Sequence, residues 1–145
     1  MKLATCLPLA FLLFLCSCAS SSVDEQYVAD GLPIQYLEIV TPDVDATCAA
    51  LESIHGVSFS EPQPHLANSR TAPLESGARI GVRAPMRGTE VPVVRIYARV
   101  TDIHAATEAA AEAGGSVAMA PMAIGDEGHF SIYLQGGIEY GLWKD

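Results

Sequence analysis

The chain has 145 residues, half of them hydrophobic, and carries eight Lys and Arg against seventeen Asp and Glu for a formal net charge of −9. Such an acidic chain repels phosphate backbones, which argues against a nucleic-acid binder. Of its four cysteines, Cys6, Cys16 and Cys18 fall within the first eighteen residues, so Cys48 stands alone and no internal disulfide is expected.

The chain opens MKLATCLPLAFLLFLCSCASSS: one lysine, an apolar run from Leu7 to Leu15, then small residues. That run is too short to cross a bilayer as a helix and has the order of a secretory leader. Leu15-Cys16-Ser17-Cys18 resembles the lipobox of bacterial lipoproteins, although Cys16 is an unusual occupant of the middle position. The resemblance implies a signal peptide over residues 1–18 and lipid on Cys18. It also implies attachment to a bacterial envelope membrane with the protein facing the periplasm. Ala19 after the cysteine, rather than Asp, fits sorting to the outer membrane as in enteric bacteria. Several acyl chains, at about 0.8 kcal/mol per buried methylene, make a stable anchor. Residues 19–32, ASSSVDEQYVADGL, are Ser-rich and then polar without a sustained period, as expected of a flexible tether. Residues 33–145 then form one domain of modest core.

Within that domain a segment recurs. The stretch from Thr41 to Gly56 overlays that from Thr101 to Gly115, with Asp43 on Asp102, Val44 on Ile103, Ala46 on Ala105 and Ala50 on Ala109. Each begins with a threonine able to cap a helix and stops at glycine. Val44, Cys48, Leu51 and Ile54 make an apolar stripe; Ile103, Thr107, Ala110 and Ala113 make its weaker counterpart. A strand precedes each helix, IQYLEIV (34–40) and VVRIYARV (93–100). A closing strand ends each half, ARIGVRAP (78–85) and IEYGLWKD (138–145). Between helix and closing strand, VSFS and a short strand around NSRTA are expected in the first half, with Pro73 ending the latter. SVAMA and HFSIYL are their counterparts in the second. Each half, about 33–86 and 93–145, thus reads strand, helix, three strands. A helix covers one sheet face, and two such modules can curl their bare faces into a trough. The predicted class is α+β: two tandem βαβββ modules forming a curled mixed sheet with helices on its outer face.

This order is similar to that of the vicinal-oxygen-chelate superfamily, which includes glyoxalase, bleomycin-resistance and extradiol-dioxygenase proteins. The likeness rests on the Thr-(Pro)-Asp-Val/Ile opening of each helix, the Gly114-Gly115 exit of the second, and Gly137-x-x-x-Gly141-Leu-Trp near the end. Gln135-Gly136-Gly137 departs from the Asp-Pro-x-Gly of many relatives, where glycines keep the turn. Metal-using relatives place a His, Gln or Glu seven residues before the helix-opening Asp and a Glu in each closing strand. Carried over, the four positions are Tyr36, Gly81, Arg95 and Gly141, and none suits a divalent cation. The resemblance therefore implies a metal-free domain with no cofactor.

Strand alternation assigns faces. Ile138, Tyr140 and Leu142, with Val94, Ile96, Ala98 and Val100, go under the helices. The trough side receives Tyr36, Glu38, Arg79, Gly81, Arg83, Arg95, Tyr97, Arg99, Glu139, Gly141 and Trp143. Tyr36, Glu38, Arg79, Arg83, Arg95, Tyr97, Arg99, Glu139 and Trp143 form a candidate pocket for a small anionic or aromatic molecule: guanidinium forks for carboxylate or phosphate, rings for stacking. Three other arrangements fit the same residues: arginines paired internally with Glu38 and Glu139, a strand edge or dimer contact, or an enzyme. An enzyme would be of lyase, isomerase or oxygenase type, with Glu38 or Glu139 as acid or base. The relatives' habits imply a possible homodimer. His55, His65, His104 and His129 show no ligand spacing and read as solvated surface residues, and Cys48 reads as a packing thiol. No G-x-S-x-G, Walker or dinucleotide glycine pattern is present. Loops 65–76 and 122–130 would flank the trough mouth as possible lids.

Overall fold

The computed structural model describes residues 32–145. The predicted signal peptide, Cys18 and all of the tether except Leu32 lie outside these residues. Among the described residues, no helix is long and apolar enough to cross a membrane.

Seven strands form one sheet: β1 (Ile34–Val40), β2 (Arg70–Pro73), β3 (Arg79–Arg83), β4 (Val93–Arg99), β5 (Ser116–Ala123), β6 (His129–Gln135) and β7 (Ile138–Lys144). Their order across the sheet is β2-β3-β1-β4-β7-β6-β5. β1 and β4 pair antiparallel at the centre and join the two halves. Each first strand then pairs in parallel with its own closing strand, β1 with β3 and β4 with β7, so the second half repeats the first across the central seam. The architecture is the curled α+β sheet expected. α1 (Val44–His55) packs on β3, and α2 (Ile103–Glu112) packs on β5, β6 and β7.

Local chemistry sets these elements. Asp43 caps α1 by accepting from the Ala46 N–H, and Asp102 caps α2 by accepting from the His104 and Ala105 N–H groups. The caps are the aspartates rather than the threonines two or one positions earlier, because a carboxylate satisfies the free first-turn donors and complements the helix dipole. α1 stops at Gly56 in the left-handed conformation; α2 ends two residues earlier in the repeat, at Ala113. Cys48 is fully buried on α1, whereas Ile54 is exposed at the helix end and leaves the predicted stripe. β6 and β7 are joined by Gly136-Gly137, both at positive φ (61° and 81°), the conformation that a tight two-residue hairpin demands.

The first half is one strand short of the expected pattern. VSFS forms no strand: Pro62 and Pro64 remove donors and turn the chain into a short 3-10 turn, Pro64–Leu66. What remains is a loop laid along β2, tied by Ser60 N–H to Thr71 O (2.8 Å), Thr71 N–H to Ser60 Oγ (3.0 Å) and a single bridge between Gln63 and Ser69. Its counterpart in the second half, β5, is a full strand of eight residues.

Candidate functional site

The trough side of the sheet is lined from four central strands. β1 contributes Tyr36 and Glu38, β3 contributes Gly81 and Arg83, β4 contributes Arg95 and Tyr97, and β7 contributes Glu139, Gly141 and Trp143. Tyr36, Tyr97 and Trp143 pack together with Leu66, Ile124 and Ile132, and Met119 and Phe130 lean on that cluster. Ring centroids lie 5.5 Å apart for Tyr36–Trp143, 5.7 Å for Tyr36–Tyr97 and 6.1 Å for Tyr97–Trp143, within the range where aromatic pairs attract.

Of the four positions where the resemblance would place metal ligands, the two glycines are covered by tyrosine rings. A side chain at Gly81 would collide with the Tyr36 hydroxyl, and one at Gly141 with the Tyr97 ring. The glycines of the closing strands and the tyrosines of the first strands are therefore two halves of one arrangement: the ring occupies the space a carboxylate would need. Among the described residues, no three His, Cys, Asp or Glu side chains converge as metal ligands. The residues present do not fit the chelated cation of the metal-using relatives.

The polar part of the trough is a chain of buried charges. Glu38 sits between two guanidiniums: Arg83 Nε donates to its Oε1 at 2.6 Å, and Arg95 Nη1 donates to its Oε2. The Tyr97 hydroxyl also donates to Glu38 Oε2, at 3.1 Å. Beyond Arg83, Glu90 accepts from Nη1 at 3.0 Å and from Nη2 at 2.7 Å, a two-pronged pairing that adds geometric specificity. Beyond Arg95, Glu139 Oε2 accepts from both Nε and Nη2. The order is Glu90, Arg83, Glu38, Arg95, Glu139, alternating in sign, with three carboxylates to two guanidiniums. Arg83 and Arg95 are only 2% and 4% exposed, so this pairing is what permits their burial.

Titration follows from these contacts. The Arg83 guanidinium holds the Glu90 carboxyl down at about 2, with a further hydrogen bond from the Met86 N–H acting the same way. Hydrogen bonds to Glu90 and Glu38 outweigh burial and keep Arg83 firmly charged. Burial pushes the Tyr36 phenol up to about 12, and burial together with the Glu38 charge pushes Tyr97 up as well, so both hydroxyls stay protonated. Burial likewise raises the Cys48 thiol, as suits a packing residue.

Above this floor lies a chamber of about 260 Å³, walled by Leu66, Met119, Ile124, Phe130, Ile132 and the three aromatics, with Glu38, Arg83 and Arg95 at one end. Loop residues from both halves form its rim. His65 Nε2 lies 2.8 Å from Glu127 Oε1, and Arg79 pairs with the other oxygen of Glu127 while its guanidinium rests 5.8 Å from the Trp143 ring centre. Arg79 and His65 together hold the Glu127 carboxyl below its ordinary range, with Arg79 the larger influence.

The expected site residues thus divide. Tyr36, Glu38, Arg83, Arg95, Tyr97 and Trp143 converge on the chamber, and Glu139 joins through Arg95. Arg79 serves the rim. Arg99 departs: it is the last residue of β4, its side chain is 55% exposed, and it lies 4.0 Å from Asp145 near the chain end, outside the trough. His65 is not a purely solvated residue, because the loop carrying it folds over the trough to meet Glu127. Glu90 and Glu127 were not foreseen. Each sits in a loop with no local pattern, and only tertiary folding brings it to its arginine.

No protein-family model matches the chain, and no curated protein sequence matches it. Solved structures do. A hypothetical protein from Bacillus halodurans superposes with a TM-score of 0.63 at 10% identity, covering 77% of this chain and 93% of that one. Methylmalonyl-CoA epimerase from Mycobacterium tuberculosis superposes with a TM-score of 0.61 at 18% identity, over 81% and 91%. The Streptomyces coelicolor epimerase, in complex with 2-nitronate-propionyl-CoA, gives 0.57 at 16% identity, over 78% and 96%. At these identities the likeness concerns the fold alone: a vicinal-oxygen-chelate fold.

Proposed function

We propose that this chain is a lipid-anchored envelope protein whose trough binds a small, uncharged, aromatic or apolar molecule without using a metal. The observation that carries the ligand reading is the state of the two buried arginines. Arg83 and Arg95 already donate to Glu38, Glu90 and Glu139, so an entering carboxylate or phosphate would have to displace a carboxylate of the protein itself. The remaining wall is rings, methionines and aliphatic side chains, a surface that favours apolar contact and stacking. Between the two ligand classes that the sequence suggests, the aromatic one is favoured over the anionic one. An acid–base role for Glu38 or Glu139 is disfavoured on the same ground, since Arg95 holds both carboxylates.

Trp143 is the only tryptophan in the chain and lines the chamber, so its emission reports directly on occupancy. Titration with small neutral aromatics is expected to give a saturable change in Trp143 emission and a rise in Tm. A saturable response to carboxylates or phosphates but to no neutral aromatic would overturn the reading.

The anchor rests on the leader and on Leu15-Cys16-Ser17-Cys18. Mass spectrometry of the mature chain is expected to find an acylated Cys18 at the amino terminus, and Cys18→Ser to release the protein from membranes. An unmodified mature terminus beginning elsewhere would remove this part of the proposal.

A further inference from the structure

The chain of charges has a second side. A chamber of about 460 Å³ opens there, bordered by Arg87, Glu90, Val91, Ile138 and Glu139. It shares Arg83, Arg95, Met86, Met119 and Ile132 with the first chamber, so the buried ion pairs are the wall between the two. Trp143, Tyr36 and Tyr97 line only the first.

Two charged groups at this second chamber are not consumed by the wall. Glu139 meets Arg95 through Oε2 alone, and its Oε1 has no hydrogen-bond partner among the described residues, with the side chain 39% exposed. Arg87, on the link between β3 and β4, is exposed and forms no ion pair among the described residues. Met86, Val91 and Ile138 stand beside them, each more than half exposed. Three exposed apolar side chains at the mouth of one concavity mark a recognition surface more than scattered surface residues would.

The two uncommitted groups select the class of ligand. The second chamber offers one open carboxylate oxygen, on Glu139, and one unpaired guanidinium, on Arg87, so a ligand bearing both an ammonium and a carboxylate complements the pair. We propose that the second chamber binds a small amino acid. Its ammonium sits on Glu139 Oε1, its carboxylate on the Arg87 guanidinium, and its apolar side chain against Met86, Val91 and Ile138. This site does not depend on the aromatic-ligand reading of the first chamber.

Calorimetric titration of the folded domain with methionine, leucine and 5-aminopentanoate tests it, with the N-acetyl and methyl-ester derivatives and a Leu-Leu dipeptide as controls. At least one free amino acid is expected to bind saturably. Blocking either its amine or its carboxylate is expected to weaken binding about fivefold, as for a rim ion pair. Arg87→Ala is expected to abolish discrimination against the ester, and Glu139→Gln to abolish discrimination against the N-acetyl form. Ala118→Phe, which places a ring in this chamber at an exposed position without adding a tryptophan, is expected to block binding. Emission from Trp143 stays unchanged throughout, which separates failure here from failure in the first chamber. Binding by none of the amino acids, equal binding of the blocked forms, or a dipeptide that binds more tightly than every amino acid each overturns the assignment. Arg87 is exposed, so its variant decides the question even if Glu139→Gln does not fold.

Discussion

Tyr36 and Tyr97 face each other across the central seam, and each fills the space over a glycine of its own half's closing strand, yet their hydroxyls meet different surroundings. The Tyr97 hydroxyl donates to Glu38 at 3.1 Å and belongs to the chain of buried charges. The Tyr36 hydroxyl is buried away from any carboxylate partner, and among the described residues only the Ser69 hydroxyl, itself otherwise unpaired, comes near enough to influence it by hydrogen bonding. A ring fills the space over the closing-strand glycine in both halves, from different positions of the first strand, and only Tyr97 has been drawn into the electrostatics. Filling a corner with a ring needs only space, whereas tying its hydroxyl down needs an acceptor, and Glu38 lies on one side of the seam.

The difference can be broken most forcefully at that acceptor. Glu38→Ala leaves Arg83 and Arg95 buried with fewer partners and is expected to cost about 3–5 kcal/mol in denaturant unfolding, the usual result of removing one member of a buried pair. Acid tests the same network from its edge. Glu90 is held at about 2 in the folded protein against an ordinary 4.5, so its contribution is complete above about 4.5 and is lost as pH falls toward 2. Tm is expected to drop through that window, and Glu90→Gln to flatten the drop.

The steric half is sharpened by Gly141→Ala, which drives a methyl into the Tyr97 ring and is expected to cost about 1–3 kcal/mol. Combining it with Tyr97→Ala should cost less than the sum of the single changes, since the two positions compete for one space. The pair of hydroxyl deletions separates the two rings themselves. Tyr97→Phe removes a hydrogen bond to a charged acceptor and is expected to cost about 1.5–3 kcal/mol at most, and less if Arg95 takes up the freed oxygen. Tyr36→Phe removes a buried hydroxyl whose one neighbour is the neutral Ser69 hydroxyl and is expected to cost less than about 1 kcal/mol. Equal losses in the two variants would show that the halves are not distinguished as described.

What was legible in the sequence was whatever local chemistry writes twice. Asp43 and Asp102, the glycine exits and the alternation in IQYLEIV and IEYGLWK located both modules and most of the trough face. VSFS alternates as a strand should, but alternation says nothing of the donors lost at Pro62 and Pro64 downstream, and there the expectation failed. Arg99 obeys the same period as Arg95 and Tyr97; it leaves the trough because the strand ends with it, beside Asp145. Glu90 and Glu127 could not be found from pattern, since a carboxylate in a loop acquires its role only when folding brings an arginine to it.

The central claim is that the guanidiniums of Arg83 and Arg95 are engaged by the protein's own carboxylates. Arginine side-chain NMR tests it directly. Two Nε–H signals in slow exchange with water are expected, and they do not move when benzoate or phosphate is added. Fast-exchanging signals that shift saturably with either anion would contradict it.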